Sequence, residues 1–211
     1  YISPSIMCAN LLNLQKDIEE MDRAGMDMYH IDIMDGHFVP NLCLNFDIIK
    51  LLRGITATPM DVHLMVEDPE KYMGRLKELK VEYCSFHMEA TRYPIRLLKS
   101  MKDIGIKAGL AVNPSTCAEA LSYVIPYCDY VLVMTVEPGF AGQKFITEML
   151  DKIQSIKKII RDKNPECLIM VDGNISEETA EWCIEMGADI LVAGSSSVFR
   201  KDKGLYEASV E

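Results

Sequence analysis

The sequence predicts an α/β protein that closes as a single-domain (β/α)8 TIM barrel over residues 1–211. Short segments rich in Ile, Val, Leu and Met alternate with amphipathic helical segments along the whole chain, which is the pattern of a parallel sheet. Eight such strand segments occur, the number that closes a barrel. No Gly-x-Gly-x-x-Gly motif follows the first of them, which disfavours an open, doubly wound sheet.

Alternation or short apolar runs define the strands. In the second strand, alternation places His30 and Asp32 on one face and Ile31 on the other. In order, the predicted strands are 1–7, 26–33, 60–66, 81–87, 107–112, 130–134, 167–171 and 190–193.

Helices are predicted where apolar residues recur at helical spacing. Asn10 and Asp68 are expected N-caps, the second with Pro69 at the first helical position. Glycines at 25, 105 and 187 suit helix C-termini. The predicted helices are 11–24, 46–52, one beginning at 68–69, 94–104, 117–125, 146–163, 177–186 and a short, truncated C-terminal helix within 203–211.

Composition excludes several classes of function. The chain is 49% hydrophobic and 26% charged, which supports a large core and argues against disorder. Its net charge of −10 disfavours binding to nucleic acid or to anionic membranes. The seven cysteines include no Cys-x-x-Cys pair, and we find no transmembrane run and no signal-peptide pattern, so we expect a cytoplasmic protein with reduced thiols.

Four polar residues fall at the ends of three predicted strands. His30 and Asp32 end the second strand, His63 the third, and Asp172 the seventh. Because the strands of a barrel converge at their C-terminal ends, these side chains are expected to meet there. Two imidazoles and two carboxylates suit a divalent Zn, Fe, Mn or Co ion. The alternative is a buried His–Asp hydrogen bond that only holds the loop.

The loops after strands seven and eight predict a phosphate site. Barrels often bind phosphate there, and the backbone N–H groups of Gly173, Asn174, Gly194 and Ser195 are the expected donors. The alternative is that these residues are ordinary loop glycines and a serine-rich cap. The segment after strand six, which contains Gly139, Phe140, Ala141 and Gly142, is expected to act as a lid.

Further residues at the strand ends have two interpretations each. Met34, Met65 and Met134 are either core residues or an apolar floor beneath a substrate. His87 and Glu89 are either a surface-loop pair or a substrate contact. His37 is expected to serve hydrogen bonds within its own loop.

The residues together resemble the ribulose-phosphate 3-epimerase family over essentially the full chain. The matching segments are 3–5, 30–41, 63–66, 87–90, 113–114, 134–145, 171–173 and 194–195. The resemblance implies a (β/α)8 barrel, a metal held by His30, Asp32, His63 and Asp172, and reversible inversion at carbon 3 of a ketose phosphate. The expected substrate-binding residues are Ser5, Met34, His63, Met65, Met134, Gly139, Phe140, Ala141, Gly142, Asp172, Gly173, Asn174, Gly194 and Ser195.

Two departures from the family pattern bear on the substrate. Asn174 follows Gly173 where the family usually has a second glycine, and the first strand continues through Met7 and Cys8. Both are similar to the allulose-6-phosphate 3-epimerase branch, whereas the segment 87–90 is similar to the ribulose-5-phosphate branch. D-allulose 6-phosphate is the favoured substrate and D-ribulose 5-phosphate the alternative.

Inversion needs one group to remove the carbon-3 proton and another to return a proton on the opposite face. Asp32 and Asp172 are the expected pair, one as a carboxylate base and the other as a protonated acid. A metal-dependent aldolase and a non-catalytic metal-binding barrel are the competing classes. We expect a homo-oligomer.

Overall fold

A computed structural model describes residues 1–210. Its nine strands are β1 (Ile2–Pro4), β2 (Tyr29–Asp35), β3 (Leu42–Cys43), β4 (Met60–Met65), β5 (Tyr83–His87), β6 (Lys107–Val112), β7 (Tyr130–Met134), β8 (Leu168–Asp172) and β9 (Ile190–Ala193). Its α-helices are α1 (Leu14–Ala24), α2 (Phe46–Leu52), α3 (Met73–Leu79), α4 (Pro94–Asp103), α5 (Met149–Lys163), α6 (Glu177–Met186) and α7 (Leu205–Val210).

Eight of the strands form a closed parallel barrel, as predicted. The sheet runs in the order β1-β9-β8-β7-β6-β5-β4-β2-β3, and a parallel bridge between Ser5 and His30 joins its first and second barrel strands. The short β3 pairs antiparallel with the end of β2 and lies outside the barrel. All eight barrel strands therefore point their C-terminal ends to one face of the molecule.

The alternation predicted for β2 separates two apolar layers. Tyr29, Ile31 and Ile33 pack in the large cluster between the barrel and the helices. Met28 packs inside the barrel with residues of β7 and β8, including Met170. His30 and Asp32 share this inner face, so two buried polar side chains lie on the same face of the strand as Met28.

Many of the predicted boundaries are confirmed. Strands β6, β7 and β9 and helices α2 and α6 have the predicted bounds. Gly25 and Gly187 end their helices in the left-handed conformation, with φ of 81° and 106°. The Asn10 side chain accepts the Leu12 N–H, but the first turn it caps is a 3-10 turn that precedes α1.

Two local predictions are wrong. Residues 117–125 form no α-helix, only 3-10 turns over Ala118–Leu121 and Ile125–Tyr127. Pro126 lies in the second turn and disfavours a helical conformation at Ile125, so it accounts for the break there. Asp68 does not cap a helix with its side chain, which instead contacts the Lys71 ammonium at 2.7 Å.

The helices of the barrel are short. Among residues 1–210, no helix has both the length and the apolar composition required to cross a membrane.

Candidate metal centre and substrate cavity

The four residues predicted to bind a metal meet at the C-terminal mouth of the barrel. Asp32 Oδ1 lies 3.3 Å from His30 Nε2 and 3.4 Å from His63 Nδ1. Asp172 Oδ2 lies 3.8 Å from each of the same two nitrogens. One ligand atom from each residue falls within 4.8 Å of all the others, so the cluster can hold one metal ion.

The two histidine nitrogens that face this cluster have no other partner. His30 Nε2 and His63 Nδ1 are buried and make no hydrogen bond within the described chain. A buried polar atom without a partner costs free energy, and coordination of a cation removes that cost. The donor set of two imidazole nitrogens and two carboxylates fits Zn, Fe, Mn or Co.

The two carboxylates of the cluster differ in their surroundings. Burial raises the pKa of Asp32, but the adjacent imidazoles of His30 and His63 outweigh burial and hold it well below its ordinary value. Burial and the neighbouring carboxylates raise the pKa of Asp172 to about 7, although His30 opposes the change. Near neutral pH, one carboxylate is therefore ionised while the other can carry a proton.

Buried groups beneath the cluster fix its ligands. Asp61 is fully buried, and its Oδ2 lies 2.6 Å from His30 Nδ1. The Tyr130 hydroxyl donates to the other oxygen of Asp61. The Ser5 hydroxyl donates to Asp32 Oδ2 at 2.7 Å, which turns Oδ1 of that carboxylate toward the histidines.

His87 contacts one of the predicted metal ligands, a role that the sequence did not predict. It is fully buried, so it is not part of a surface-loop pair, and its Nε2 lies 2.8 Å from His63 Nε2. The roles of His87, Asp61 and Tyr130 were not predicted, although all three lie on strands near the cluster. Alternation places Asp61 on the same face as His63, but register across strands decides which histidine it contacts.

A cavity open to solvent lies above the cluster. Its walls include nearly all of the predicted substrate-binding residues: Ser5, Met34, Met65, Met134, Gly139, Phe140, Ala141, Gly142, Asp172, Gly173, Asn174, Gly194 and Ser195. His63 is the exception, because it is buried below the cavity. The sequence did not predict several other lining residues, among them Val136, Pro138, Ile175 and Val192.

Gly173 and Asn174 form a tight turn at one end of the cavity. Gly173 has a φ of +130°, and a Cβ there would lie 2.7 Å from Val136 and 2.8 Å from Thr135 Oγ1. Asn174 also has a positive φ, 52°. In the described part of the chain, the N–H groups of Gly173 and Asn174 donate to no protein acceptor, so both are free to bind an anion.

The loop after β9 offers fewer free donors than predicted. The Gly194 N–H donates to the Ser197 hydroxyl at 3.1 Å. Burial raises the pKa of the Cys8 thiol to about 11, and the nearby Ser195 N–H partly opposes this rise. A ligand at this loop would have to replace the contact of Gly194 with Ser197, whereas the turn at Gly173 is already open.

The predicted lid segment closes against the loop after β2. The Asn41 amide donates to the Gly139 carbonyl at 2.7 Å, and the Gly139 Cα packs against Val39. The Gln143 amide donates to the carbonyls of Glu137 and Phe140 at 2.6 and 2.9 Å, which shapes the segment internally. These contacts link two loops across the cavity mouth.

The fold is a (β/α)8 barrel, and a cluster that can hold a metal ion lies at the C-terminal ends of its strands. The sequence model described as the ribulose-phosphate 3 epimerase family matches residues 1–199. Ribulose-phosphate 3-epimerase of Methanocaldococcus jannaschii is 42% identical, over 100% of this chain and 91% of the relative. Its counterpart in Bacillus subtilis is 40% identical, over 96% of this chain and 94% of the relative. The chain belongs to the ribulose-phosphate 3-epimerase family, and the predicted enzyme class, an isomerase, is confirmed.

Solved structures support the fold. A tryptophan synthase α-subunit of Pyrococcus furiosus aligns with a TM-score of 0.70 at 15% identity, covering 99% of this chain and 94% of that chain. A thiamine phosphate pyrophosphorylase of the same organism aligns with a TM-score of 0.64 at 14% identity, covering 100% and 91%. At identities this low, the structural similarity supports the barrel architecture but says nothing about activity.

Proposed function

We propose that the protein is a metal-dependent 3-epimerase of ketose phosphates, with Asp32 and Asp172 as its acid–base pair. The observation that carries this proposal is the convergence of two carboxylates of unlike pKa on one buried cluster beneath a polar cavity. Family membership supports the same reaction class.

Each carboxylate exchanges one proton with carbon 3. In one direction the ionised Asp32 removes the proton from one face of the sugar, while the protonated Asp172 supplies a proton to the other face. In the reverse direction the two residues exchange roles. Ser5 holds Asp32 in place through its hydroxyl, so this carboxylate keeps its orientation while the substrate changes configuration.

His30, His63, Asp32 and Asp172 would hold the divalent ion. When bound, the ion supplies a Lewis acid that stabilises the negative charge developing on the sugar oxygens as carbon 3 loses its proton. The methionines at 34, 65 and 134 line the cavity beside the cluster. Their apolar side chains exclude water, which strengthens electrostatic interactions at the reacting carbon.

The phosphate is proposed to bind at the turn after β8. The free N–H groups of Gly173 and Asn174 are its main donors, because neither is used by the protein. Gly194 and Ser195 complete the site after the present contact of Gly194 with Ser197 exchanges for a phosphate oxygen. Phe140 and its neighbours in the lid segment close over the ligand.

D-Ribulose 5-phosphate is the first candidate substrate, since similar proteins from several organisms are named ribulose-phosphate 3-epimerase. D-Allulose 6-phosphate is the second, and a specific observation favours it. Cys8 and Asn174, where this chain departs from the usual family pattern, both line the cavity. They can therefore contact the end of the substrate that differs between five and six carbons.

A side-by-side measurement of kcat/KM on the two ketose phosphates tests this proposal. We expect both to be epimerised, with D-ribulose 5-phosphate preferred, and Asn174→Gly to change their ratio. Conversion of neither compound by the metal-loaded protein would overturn the epimerase proposal. Products from carbon–carbon cleavage would indicate an aldolase instead.

We further propose that residues 1–211 form one domain that works in the cytoplasm as a homo-oligomer. The seven cysteines are all free, which agrees with a reducing compartment. Sedimentation equilibrium tests the oligomeric state, and a single calorimetric transition is expected for one domain.

A further inference from the structure

The two histidines of the metal centre contact buried partners of different kinds, one a carboxylate and the other an imidazole. His30 Nδ1 faces the Asp61 carboxylate at 2.6 Å, and both side chains are fully buried. His63 Nε2 faces His87 Nε2 at 2.8 Å, a contact between two imidazoles. Neither Asp61 nor His87 lines the cavity, so neither contacts the substrate directly.

These partners determine which nitrogen of each histidine carries a proton. A carboxylate accepts, so His30 must donate from Nδ1, and its Nε2 lone pair then faces the cluster. His63 must donate from Nε2 if its Nδ1 is to bind a cation. His87 therefore accepts at Nε2 and carries its own proton on Nδ1, which points toward Glu89 Oε2 at 3.6 Å.

Packing holds both partners in these orientations. The His87 ring lies between His63 and Phe38, with ring centroids 4.9 Å and 4.7 Å away. Asp61 is held by the Tyr130 hydroxyl from the far side of the barrel. Gly109 permits this arrangement, because a Cβ there would lie 2.2 Å from the Tyr130 ring.

We propose that Asp61 and His87 are positioning residues that set the tautomers of the metal-binding histidines, and that Asp61 makes His30 the anchoring ligand. A hydrogen bond to a carboxylate is stronger than one between neutral groups, and it raises the basicity of the coordinating nitrogen. The partner of His63 is an imidazole and not a carboxylate, so His63 is the weaker of the two ligands. This inference rests on the proposed metal site.

Titration of the metal-free protein with Co²⁺, followed by visible absorption, tests the inference without an activity assay. We expect Asp61→Asn to lower Co²⁺ affinity by about 100-fold and His87→Phe by about 10-fold. His87→Gln keeps an acceptor for His63, so it should restore affinity to near the wild-type value. Ser3→Ala removes a buried hydroxyl of β1 that belongs neither to the cluster nor to the cavity lining, and should leave affinity unchanged.

Two outcomes would overturn the inference: wild-type affinity in both Asp61→Asn and His87→Phe, or a larger loss in His87→Phe. If Asp61→Asn does not fold, Tyr130→Phe replaces it. That variant leaves the carboxylate unbraced and should weaken Co²⁺ binding several-fold, and wild-type affinity there would equally contradict the inference. Failure of the wild type to bind Co²⁺ would instead reject the metal site itself, and the inference with it.

Discussion

At the scale of single residues, the proposed chemistry depends on two aspartates in unlike surroundings. Asp32 is buried and its carboxylate accepts the Ser5 hydroxyl, whereas the Asp172 side chain is 20% exposed and faces the cavity. The sequence was sufficient to predict that both meet at the mouth of the barrel, because polar side chains at the ends of barrel strands are costly unless they bind something. It could not reveal the buried partners of the histidines, since these contacts depend on how side chains pack across the barrel interior.

Replacing Asp172 with Asn keeps the shape of the side chain but removes its ability to exchange a proton. We expect kcat to fall by about 10²–10⁴-fold, the usual contribution of a general acid or base. Steady-state kinetics on the preferred ketose phosphate measures the change. Asp151→Asn, an exposed residue of α5, is the matched control and should retain full activity. Near-normal turnover in Asp172→Asn would reject the two-carboxylate scheme.

Gly173→Ala should destabilise the protein and weaken phosphate binding. The position has a φ of +130°, and the added Cβ would meet Val136 and Thr135. The strain is expected to cost about 1–3 kcal/mol of unfolding free energy, measured by urea denaturation. Gly74→Ala gives a matched comparison, because a Cβ within α3 meets no neighbour there and should stabilise the protein by about 1 kcal/mol. Equal effects of the two substitutions would contradict this account of Gly173.

At the scale of elements, hydrophobic periodicity predicted the strands better than the connections between them. Strands β6, β7 and β9 have the expected bounds because each is a short apolar run inside a parallel sheet. The apolar spacing of residues 117–125 predicted a helix. The segment instead forms two 3-10 turns, the second of which contains Pro126. The Asn164 side chain then satisfies the carbonyls of Ile125 and Cys128. That long-range contact has no local sequence signal.

The link between the two mouth loops predicts an effect on substrate binding. Asn41→Ala removes the hydrogen bond to the Gly139 carbonyl, which should loosen the lid segment. A hydrogen bond contributes about 0.5–1.5 kcal/mol, so KM should rise roughly 2- to 10-fold. Asn45→Ala is the control, because Asn45 caps α2 without a recorded contact to the lid. An unchanged KM in Asn41→Ala would show that this contact does not support the closed loop.

At the scale of the whole molecule, the barrel brings together residues that are far apart in the chain. His30 and Asp172 are far apart in the sequence, yet both contribute to one cluster because their strands end on the same face of the barrel. The barrel could be predicted from the strand–helix alternation, and with it the convergence of the site. The buried contacts that Asp61, His87 and Tyr130 make beneath the site could not be predicted in this way.

Removal of the metal should lower thermal stability. A ligand present at 100 times its Kd stabilises the folded state by about 2.7 kcal/mol, so a chelator should lower the Tm by about 5–10 °C. Differential scanning calorimetry measures the shift. His30→Gln removes a ligand and should show little response to the chelator. An identical Tm with and without chelator in the wild type would argue against a resident metal.

We propose that carbon 3 is inverted by proton transfer through two carboxyl groups whose protons exchange with water. Epimerisation of D-ribulose 5-phosphate in heavy water, followed by NMR of carbon 3, tests it most directly. This two-carboxylate mechanism predicts deuterium at carbon 3 of the product, because the acid that returns the proton exchanges with solvent. A product that retains the original hydrogen at carbon 3 would contradict it.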